Sequence, residues 1–391
     1  MRAILSSALP MAGALALLAA PAAAQVVVRL RVPPATPADA AVYVAGSFNN
    51  WNPADPAFRL TKDASGDYVL TVPEAPPGPV EFKFTLGSWE TVETDASGAG
   101  VPNRAWTISD GPSAWEGAVA GWQDPAKIPA RAHTARATVA VLDSAFAIPQ
   151  LGRTRRVWIY LPPGYASSTR RYPVLYMHDG QNVFDDATSY AGEWGVDEAL
   201  DSLAARGDGG VIVVAVDNGQ ASRMAEYSPW VNARAGGGEG DAYVDFLVKT
   251  LKPYVDAHYR TRPERESTGI MGSSMGGLIS LYAGLKHPDV FGRVGVFSPS
   301  LWFSDSAYAL AAAAKRIPGQ RWYFVSGGSE GAADNPGVVV ADQRRMVDTL
   351  AAAGFDRATE LRGLGPEDGK HSEWFWRREF PAAYEWLFGG N

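Results

Sequence analysis

Short apolar runs alternate with turn residues along the first part of the chain. Glycine and proline punctuate four such runs, at residues 26–32, 41–44, 68–72 and 80–84. Strand-length runs with this punctuation are typical of all-β sandwiches. We therefore predict an N-terminal all-β, immunoglobulin-like sandwich over residues 25–110.

The pattern changes from about residue 137 onward, where strand-like runs alternate with helical stretches. The strand-like runs lie at 157–161, 174–177, 211–216 and 322–325, and clear helical stretches lie at 242–254 and 341–353. This alternation predicts a doubly wound, mostly parallel sheet covered by helices over residues 137–391. Residues 111–136 are rich in proline, alanine and glycine without clear periodicity, which indicates a linker.

The first 24 residues differ from both halves. Arg2 gives a positive start, residues 8–20 are apolar, and three alanines at 22–24 form a small-residue cleavage site before Gln25. These are the features of a secretory signal peptide. A membrane anchor is the alternative, but the apolar run is shorter than the ~20 residues that span a bilayer. We therefore expect a periplasmic or secreted protein without a membrane span.

Composition narrows the classes of function. The chain has 391 residues, 46% of them hydrophobic, so it can bury a large core. Its net charge of −7 at pH 7 offers no basic footprint for nucleic acid. It contains no cysteine, which excludes disulfides and thiolate metal sites.

The pentapeptide Gly-Ser-Ser-Met-Gly at residues 272–276 carries the clearest chemical signal. It follows a strand-like run at 267–271 and precedes a run from residue 278 that can form a helix. A G-x-S-x-G turn between strand and helix is how α/β hydrolases present a nucleophile, so we assign that role to Ser274. A serine hydroxyl needs an adjacent base and an acid that orients the base, but no metal or organic cofactor.

The base is sought among the histidines after Ser274, because the chain order in this fold is serine, acid, histidine. Only His287 and His371 follow the serine. His287 lies where the helix after the nucleophile should end, which favours a structural role. His371 lies in a loop before the terminal helix, and we predict that it is the base. His178 precedes the serine, which favours a supporting role in its own loop.

The acid should follow the strand at 322–325. A glycine-rich turn there ends in Glu330, which is our choice. Asp334 and Asp342 are alternatives, because the loop geometry decides which carboxylate meets the imidazole.

An oxyanion hole requires two backbone N–H groups aimed at the developing charge. Met275, directly after the nucleophile, supplies the first. The second is expected from the loop after the strand at 174–177, where Gly180 lets the backbone turn inward and Gln181 is the predicted donor.

Four further residues are predicted to line the substrate pocket. Arg223, Glu226 and Tyr227 follow the strand at 211–216, on the carboxyl edge where open α/β sheets bind ligands. Trp302 follows the strand after the nucleophile helix. A surface ion pair is the alternative role for Arg223 and Glu226.

Aromatic and polar residues cluster in the first domain. Sugars present apolar faces and rings of hydroxyls, so their sites pair flat aromatic side chains with hydrogen-bonding groups. Trp51 and Trp89 are candidate platforms, with Lys83 and Asn103 as polar partners. The alternative is that each tryptophan belongs to the core of the sandwich.

Residues 43–108 resemble starch-binding domains of the family-20 carbohydrate-binding type and their glycogen-binding relatives. The resemblance lies in a first tryptophan after a glycine motif, a Phe-Lys-Phe strand, a second tryptophan and a Pro-Asn-Arg signature. It implies that Trp51, Lys83, Trp89 and Asn103 form a sugar site and that starch or a related polysaccharide is a partner. The alternative is a purely structural β-domain like the one in front of enterochelin esterases.

Residues 138–388 resemble the esterase family that includes enterochelin esterases, feruloyl and acetyl-xylan esterases and esterase D-like enzymes. The resemblance rests on motifs at 160–165, 178–184, 272–277, 298–302 and 369–371. It implies a serine esterase with an ester substrate and a triad of Ser274, His371 and Glu330. Two alternatives stay open: a siderophore trilactone esterase with a structural N-terminal domain, and a glucan-binding protein with an inactive hydrolase fold.

Overall fold

The computed structural model describes residues 25–49, 51–72, 77–127, 131–233, 235–331 and 335–389. The predicted signal peptide and Asp334 lie outside these residues. The chain divides into two compact units, Met1–Pro129 and Ala130–Asn391. Among the described residues, no helix combines the length and apolarity needed to cross a bilayer.

The first unit is built from β-strands, as the apolar runs predicted. Its strands are β1 (Val26–Arg31), β2 (Val42–Gly46), β3 (Arg59–Lys62), β4 (Tyr68–Val72), β5 (Gly78–Thr85), β6 (Glu93–Thr94), β7 (Arg104–Ile108), β8 (Ser113–Ala118) and β9 (Gly121–Trp122). Seven of these described strands form one sheet in the order β7-β5-β2-β3-β4-β1-β8, and β6 pairs with β9. Alternate residues of β1 are buried, as expected for a strand with one face on a core. The classification of the first unit as an immunoglobulin-like sandwich stays a prediction.

The predicted linker at 111–136 begins too early, because its first part belongs to this unit. Strand β8 pairs in parallel with β1, and β9 pairs with β6. The indole of Trp115 packs edge-on against Phe82 with ring centroids 5.2 Å apart. The sequence did not predict β8 and β9, because small residues separate their tryptophans and no local apolar run marks them. These strands are stabilised by pairing with distant strands.

The second unit contains strands β10–β19 and helices α1–α8. The strands are β10 (Val139–Ile148), β11 (Arg153–Tyr160), β12 (Val174–Met177), β13 (Ile212–Val216), β14 (Val231–Asn232), β15 (Gly236–Gly237), β16 (Thr268–Ser273), β17 (Arg293–Phe297), β18 (Arg321–Val325) and β19 (Leu361–Leu364). The helices are α1 (Val196–Ala205), α2 (Arg223–Glu226), α3 (Gly240–Phe246), α4 (Lys252–His258), α5 (Met275–Lys286), α6 (Ser306–Ala312), α7 (Val338–Ala352) and α8 (Glu373–Phe388). A π-helical segment, Leu247–Leu251, joins α3 to α4.

The large sheet has the order β10-β11-β13-β12-β16-β17-β18-β19. Strand β11 pairs antiparallel with both β10 and β13 at one edge. Along the rest of this order, from β13 through β12 to β19, neighbouring strands pair in parallel. The interiors of β12, β13, β16 and β17 are fully buried, because helices cover both faces of the sheet. The predicted doubly wound, mostly parallel α/β fold is confirmed, and β16 places its carboxyl end at the centre of the sheet.

Candidate active site

Ser274 occupies a strained turn between β16 and α5. Its backbone has φ 58° and ψ −122°, a conformation that a non-glycine residue rarely adopts. The neighbouring glycines let strand and helix approach closely: a Cβ on Gly272 would lie 2.9 Å from the carbonyl oxygen of Gly276, and one on Gly277 would lie 2.7 Å from that of Phe297. The turn is the nucleophile elbow that the pentapeptide predicted.

The hydroxyl of Ser274 lies beside a second hydroxyl. Its Oγ is 3.3 Å from Oγ of Ser300, and the backbone N–H of Ser300 donates to the carbonyl of Ser274. Ser300 was not singled out from the sequence. The Ser-Pro-Ser motif directly after β17 was the available signal, because β17 is the parallel neighbour of the strand that carries the elbow.

His371 and Glu330 contact each other. Nδ1 of His371 lies 2.9 Å from Oε2 of Glu330. The His371 side chain is 41% exposed at the loop before α8, whereas the Glu330 side chain is 0% exposed. A buried carboxylate that holds an exposed imidazole by Nδ1 is the pairing required of a triad acid and base.

The two alternative acids do not share this position. Asp342 lies within α7, where its backbone carbonyl accepts a hydrogen bond from the hydroxyl of Tyr308. Its carboxylate makes no contact with His371 among the described residues, and Asp334 lies outside them. Glu330 is therefore the candidate acid that the geometry favours.

In the described part of the chain, no hydrogen bond joins Ser274 to His371. The imidazole is held on its Nδ1 side only, by Glu330. Catalytic hydrogen bonds in ligand-free enzymes are often long and shorten when substrate binds. The arrangement therefore places an exposed imidazole next to a buried carboxylate.

The two predicted oxyanion donors lie in helical turns that directly follow strands of the large sheet. Met275 is the first residue of α5, so the helix offers its N–H no carbonyl. Gln181 is the middle residue of a 3₁₀ turn, Gly180–Asn182, that directly follows β12. Thr188 donates its hydroxyl to the Gln181 carbonyl at 2.8 Å, which holds the turn in place.

A partly buried ion pair anchors the turn that carries the predicted oxyanion donor Gln181. Asp179, in the left-handed region at φ 55°, accepts from Nε and Nη2 of Arg223 at 2.7 and 2.8 Å. Asn218 adds a third donor to the same carboxylate at 2.7 Å. Burial alone would raise the pKa of Asp179, but the Arg223 guanidinium and these hydrogen bonds hold it below its usual range. Arg223 is thus engaged with Asp179, not with Glu226 as the surface-pair alternative supposed.

Glu226 and Tyr227 were predicted to line the substrate pocket, but both are 0% exposed, so the structure does not place them there. Glu226 is bound by Arg153 at 2.8 Å and by Arg155. The hydroxyl of Tyr227 accepts from the backbone N–H of Asp179 at 3.1 Å. These side chains turn into the interior, where they support the loops behind the site.

Trp302 lies in the 3₁₀ turn Leu301–Phe303, two residues after Ser300. Its side chain is 62% exposed. Of the four predicted pocket residues, it is the one with a large exposed apolar side chain, and it follows Ser300, whose hydroxyl lies beside that of Ser274. It stays a candidate for contact with substrate.

His178 is buried in the loop after β12, which carries the predicted oxyanion donor Gln181. Its Nδ1 lies 3.0 Å from the hydroxyl of Tyr243. Burial lowers the pKa of His178 to about 4, so the ring is neutral at physiological pH. The supporting role expected from its chain position agrees with this environment.

Replacing Arg223 with alanine is expected to lower the free energy of unfolding by about 3 kcal/mol, because Asp179 would stay buried without its counter-charge. Equilibrium urea unfolding measures the change. Arg357→Ala is the matched control, since Arg357 pairs with Asp348 on the exposed surface and such pairs contribute at most about 1 kcal/mol. Equal losses in the two variants would show that the Arg223 pair does not stabilise the turn.

The structure brings together two of the four predicted sugar-site residues in the first unit. The rings of Trp51 and Trp89 lie 6.1 Å apart at an interplanar angle of 42°, and both are partly exposed. Nζ of Lys83 donates to the carbonyl of Val101. Asn103 Nδ2 donates to Glu81 Oε2 at 3.0 Å. Among the described residues, neither polar side chain forms a hydrogen bond with Trp51 or Trp89.

A serine elbow at the carboxyl edge of a doubly wound sheet places the second unit in the α/β-hydrolase class. The family model Esterase, described as "Putative esterase", matches residues 148–387. The chain therefore belongs to this esterase family.

Three relatives illustrate the similarity. "Uncharacterized protein YbbA" of Bacillus subtilis is 28% identical over 247 residues, which cover 61% of this chain and 94% of YbbA. An alpha-amylase of Niallia circulans is 45% identical over 104 residues, 27% of this chain but only 8% of the amylase. The enterobactin esterase FES from Shigella flexneri, a solved structure, superimposes with a TM-score of 0.51 at 17% identity and covers 89% of this chain and 88% of its own, which shows a shared fold.

Proposed function

We propose that the protein is a serine carboxylic-ester hydrolase whose triad is Ser274, His371 and Glu330. The observation that carries the proposal is the strained Ser274 elbow together with a His371 imidazole held by a buried Glu330 carboxylate. Membership of the esterase family supports the reaction class.

In the proposed mechanism, His371 Nε2 takes the proton of Ser274 as Oγ attacks the ester carbonyl. The N–H groups of Met275 and Gln181 stabilise the oxyanion, and Glu330 stabilises the imidazolium. Collapse of the tetrahedral intermediate expels the alcohol, which takes its proton from His371, and leaves an acyl-serine. Water, deprotonated by His371, then releases the acid and restores Ser274.

Release of nitrophenol from short-chain nitrophenyl esters tests the reaction class. The full-length protein should hydrolyse these esters, and the Ser274→Ala variant should not. A panel of feruloyl, acetyl and catecholate-lactone esters then separates a polysaccharide esterase from a siderophore esterase. Equal rates in wild type and variant would refute the proposed mechanism.

We also propose that the first unit binds starch or a related glucan and brings the esterase to acylated polysaccharide. Two observations support this: the partly exposed pair of Trp51 and Trp89, and the amylase segment that is 45% identical to part of this chain. Two tilted indoles offer a sugar chain adjacent apolar platforms.

Trp89→Ala in the full-length protein is expected to weaken retention on amylose at least about tenfold, because a tryptophan that anchors an interface typically carries a large share of the binding energy. Affinity electrophoresis through amylose measures the retardation. Trp374→Ala, which removes an exposed tryptophan of the second unit, is the control and should migrate like wild type. Identical retardation of Trp89→Ala and wild type would leave the first unit with a structural role.

A further inference from the structure

A chain of hydrogen bonds extends behind the triad to the indole of Trp376. The indole Nε1 lies 2.9 Å from Oγ of Ser298, and that Oγ lies 2.6 Å from Oε1 of Glu330. The second carboxylate oxygen of Glu330 contacts Nδ1 of His371. Trp376 is on α8 and Ser298 directly follows β17, so the chain of bonds joins three separate segments around the base.

The direction of these bonds is fixed at the indole end. An indole N–H can only donate, so Oγ of Ser298 accepts from Trp376. The Ser298 proton is then directed to Glu330. The backbone N–H of Gly327 also donates to the same carboxylate oxygen, at 2.5 Å. Both described neighbours of Oε1 are therefore donors, so this oxygen acts as an acceptor, as a carboxylate oxygen does.

An ionised carboxylate has no proton to give, so Nδ1 of His371 must donate to Oε2 of Glu330. The neutral imidazole carries a single ring proton, and Nε2 is left with a free lone pair. That tautomer is the one that can accept a proton from a serine hydroxyl. The Glu330 carboxylate thus selects which nitrogen of His371 is basic, and the bonds behind it hold that carboxylate in position.

The backbone of Ser298 indicates that its hydroxyl is needed. Ser298 has φ 42°, a left-handed conformation that favours glycine, yet the residue is a serine and is buried. A strained backbone conformation at a buried residue beside the Glu330–His371 pair indicates a functional role for the Ser298 side chain. The Trp376 ring also packs edge-on against His371 with ring centroids 5.1 Å apart, so one side chain contacts both Ser298 and His371.

We propose that Ser298 and Trp376 are positioning residues that hold the Glu330 carboxylate in the orientation at which it accepts from Nδ1 of His371. The inference rests on the proposed triad and names two residues that act on it without contacting substrate. Their effect on the rate should therefore depend on the presence of the Glu330 carboxylate.

A double-mutant cycle tests this dependence. Ser298→Gly removes the hydroxyl and relieves the backbone strain, and Trp376→Phe removes the indole N–H while it keeps an aromatic ring. Each variant is expected to lower kcat for a nitrophenyl ester about tenfold with little change in KM, because each removes a hydrogen bond, either to the Glu330 carboxylate or to the hydroxyl that donates to it. In a Glu330→Ala background, the same substitutions should change kcat less than about twofold.

Trp194→Phe is the matched control, because Trp194 is buried in the same aromatic cluster, 5.7 Å from Trp376. Circular dichroism melting confirms that each variant folds. Equal losses in Trp376→Phe and Trp194→Phe, or the same tenfold loss with and without the Glu330 carboxylate, would overturn the inference in favour of a packing role. A fully active Ser274→Ala variant would instead refute the proposed triad, which keeps the two failures distinguishable.

Discussion

Replacement of Ser274 by alanine is expected to lower kcat for a nitrophenyl ester by about 10⁶-fold. Without the serine hydroxyl no acyl-enzyme can form, so His371 and Glu330 have no reaction to assist. Steady-state release of nitrophenol from purified protein measures the loss. The strained elbow presents Ser274 and not the neighbouring Ser273, so substitution of Ser273 should not have this effect.

Ser273→Ala is the internal control, because Ser273 is the adjacent serine of the motif but ends β16 as a buried residue. It should keep most of the wild-type rate. A Ser274→Ala variant with wild-type activity would show that hydrolysis proceeds elsewhere in the protein.

The second large effect is expected for Glu330→Ala, which should lower kcat by about 10⁴-fold. Without the carboxylate, Nδ1 of His371 loses its acceptor, so the imidazole is neither oriented nor stabilised when it takes the serine proton. The same nitrophenyl ester assay measures the change, with KM determined separately to detect any loss of binding.

Asp342→Ala separates the favoured acid from the alternative that chain order allowed. Asp342 lies on α7 without a recorded contact to His371 among the described residues, so this variant should keep nearly full activity. A large loss in Asp342→Ala together with a small one in Glu330→Ala would reverse the assignment of the acid.

The elbow could be predicted from sequence because its requirements are local. A serine between small residues, after a buried strand and before a helix, fixes the turn within a few positions. The pairing of His371 with Glu330 is not local, but chain order and the carboxyl edge of a parallel sheet limited the candidates to a few residues. Geometry then distinguished Glu330 from Asp342.

The pocket could not be predicted in the same way. Chain position placed Glu226 and Tyr227 after β13, at the correct edge of the sheet, yet both side chains turn inward. Their direction depends on Arg153, Arg155 and the backbone of Asp179, which come from other parts of the chain. A sequence shows which residues follow a strand but not which of them find a buried partner.

Strands β8 and β9 show the same limit in the first unit. Their residues lack a strong apolar run, and β8 is stabilised by parallel pairing with β1 at the other end of the unit. The bonds from Trp376 through Ser298 to Glu330 likewise join residues from three segments. Long-range contacts of this kind are specified by the fold as a whole.

The mass of the protein during turnover tests the proposed acyl-enzyme directly. The full-length protein is mixed with a nitrophenyl ester, quenched in acid within the first turnovers, digested and mapped by mass spectrometry. We expect an added acyl mass on Ser274, and none in the Ser274→Ala variant. Continued hydrolysis with no acyl adduct, or with the adduct on another residue, would contradict the proposed mechanism.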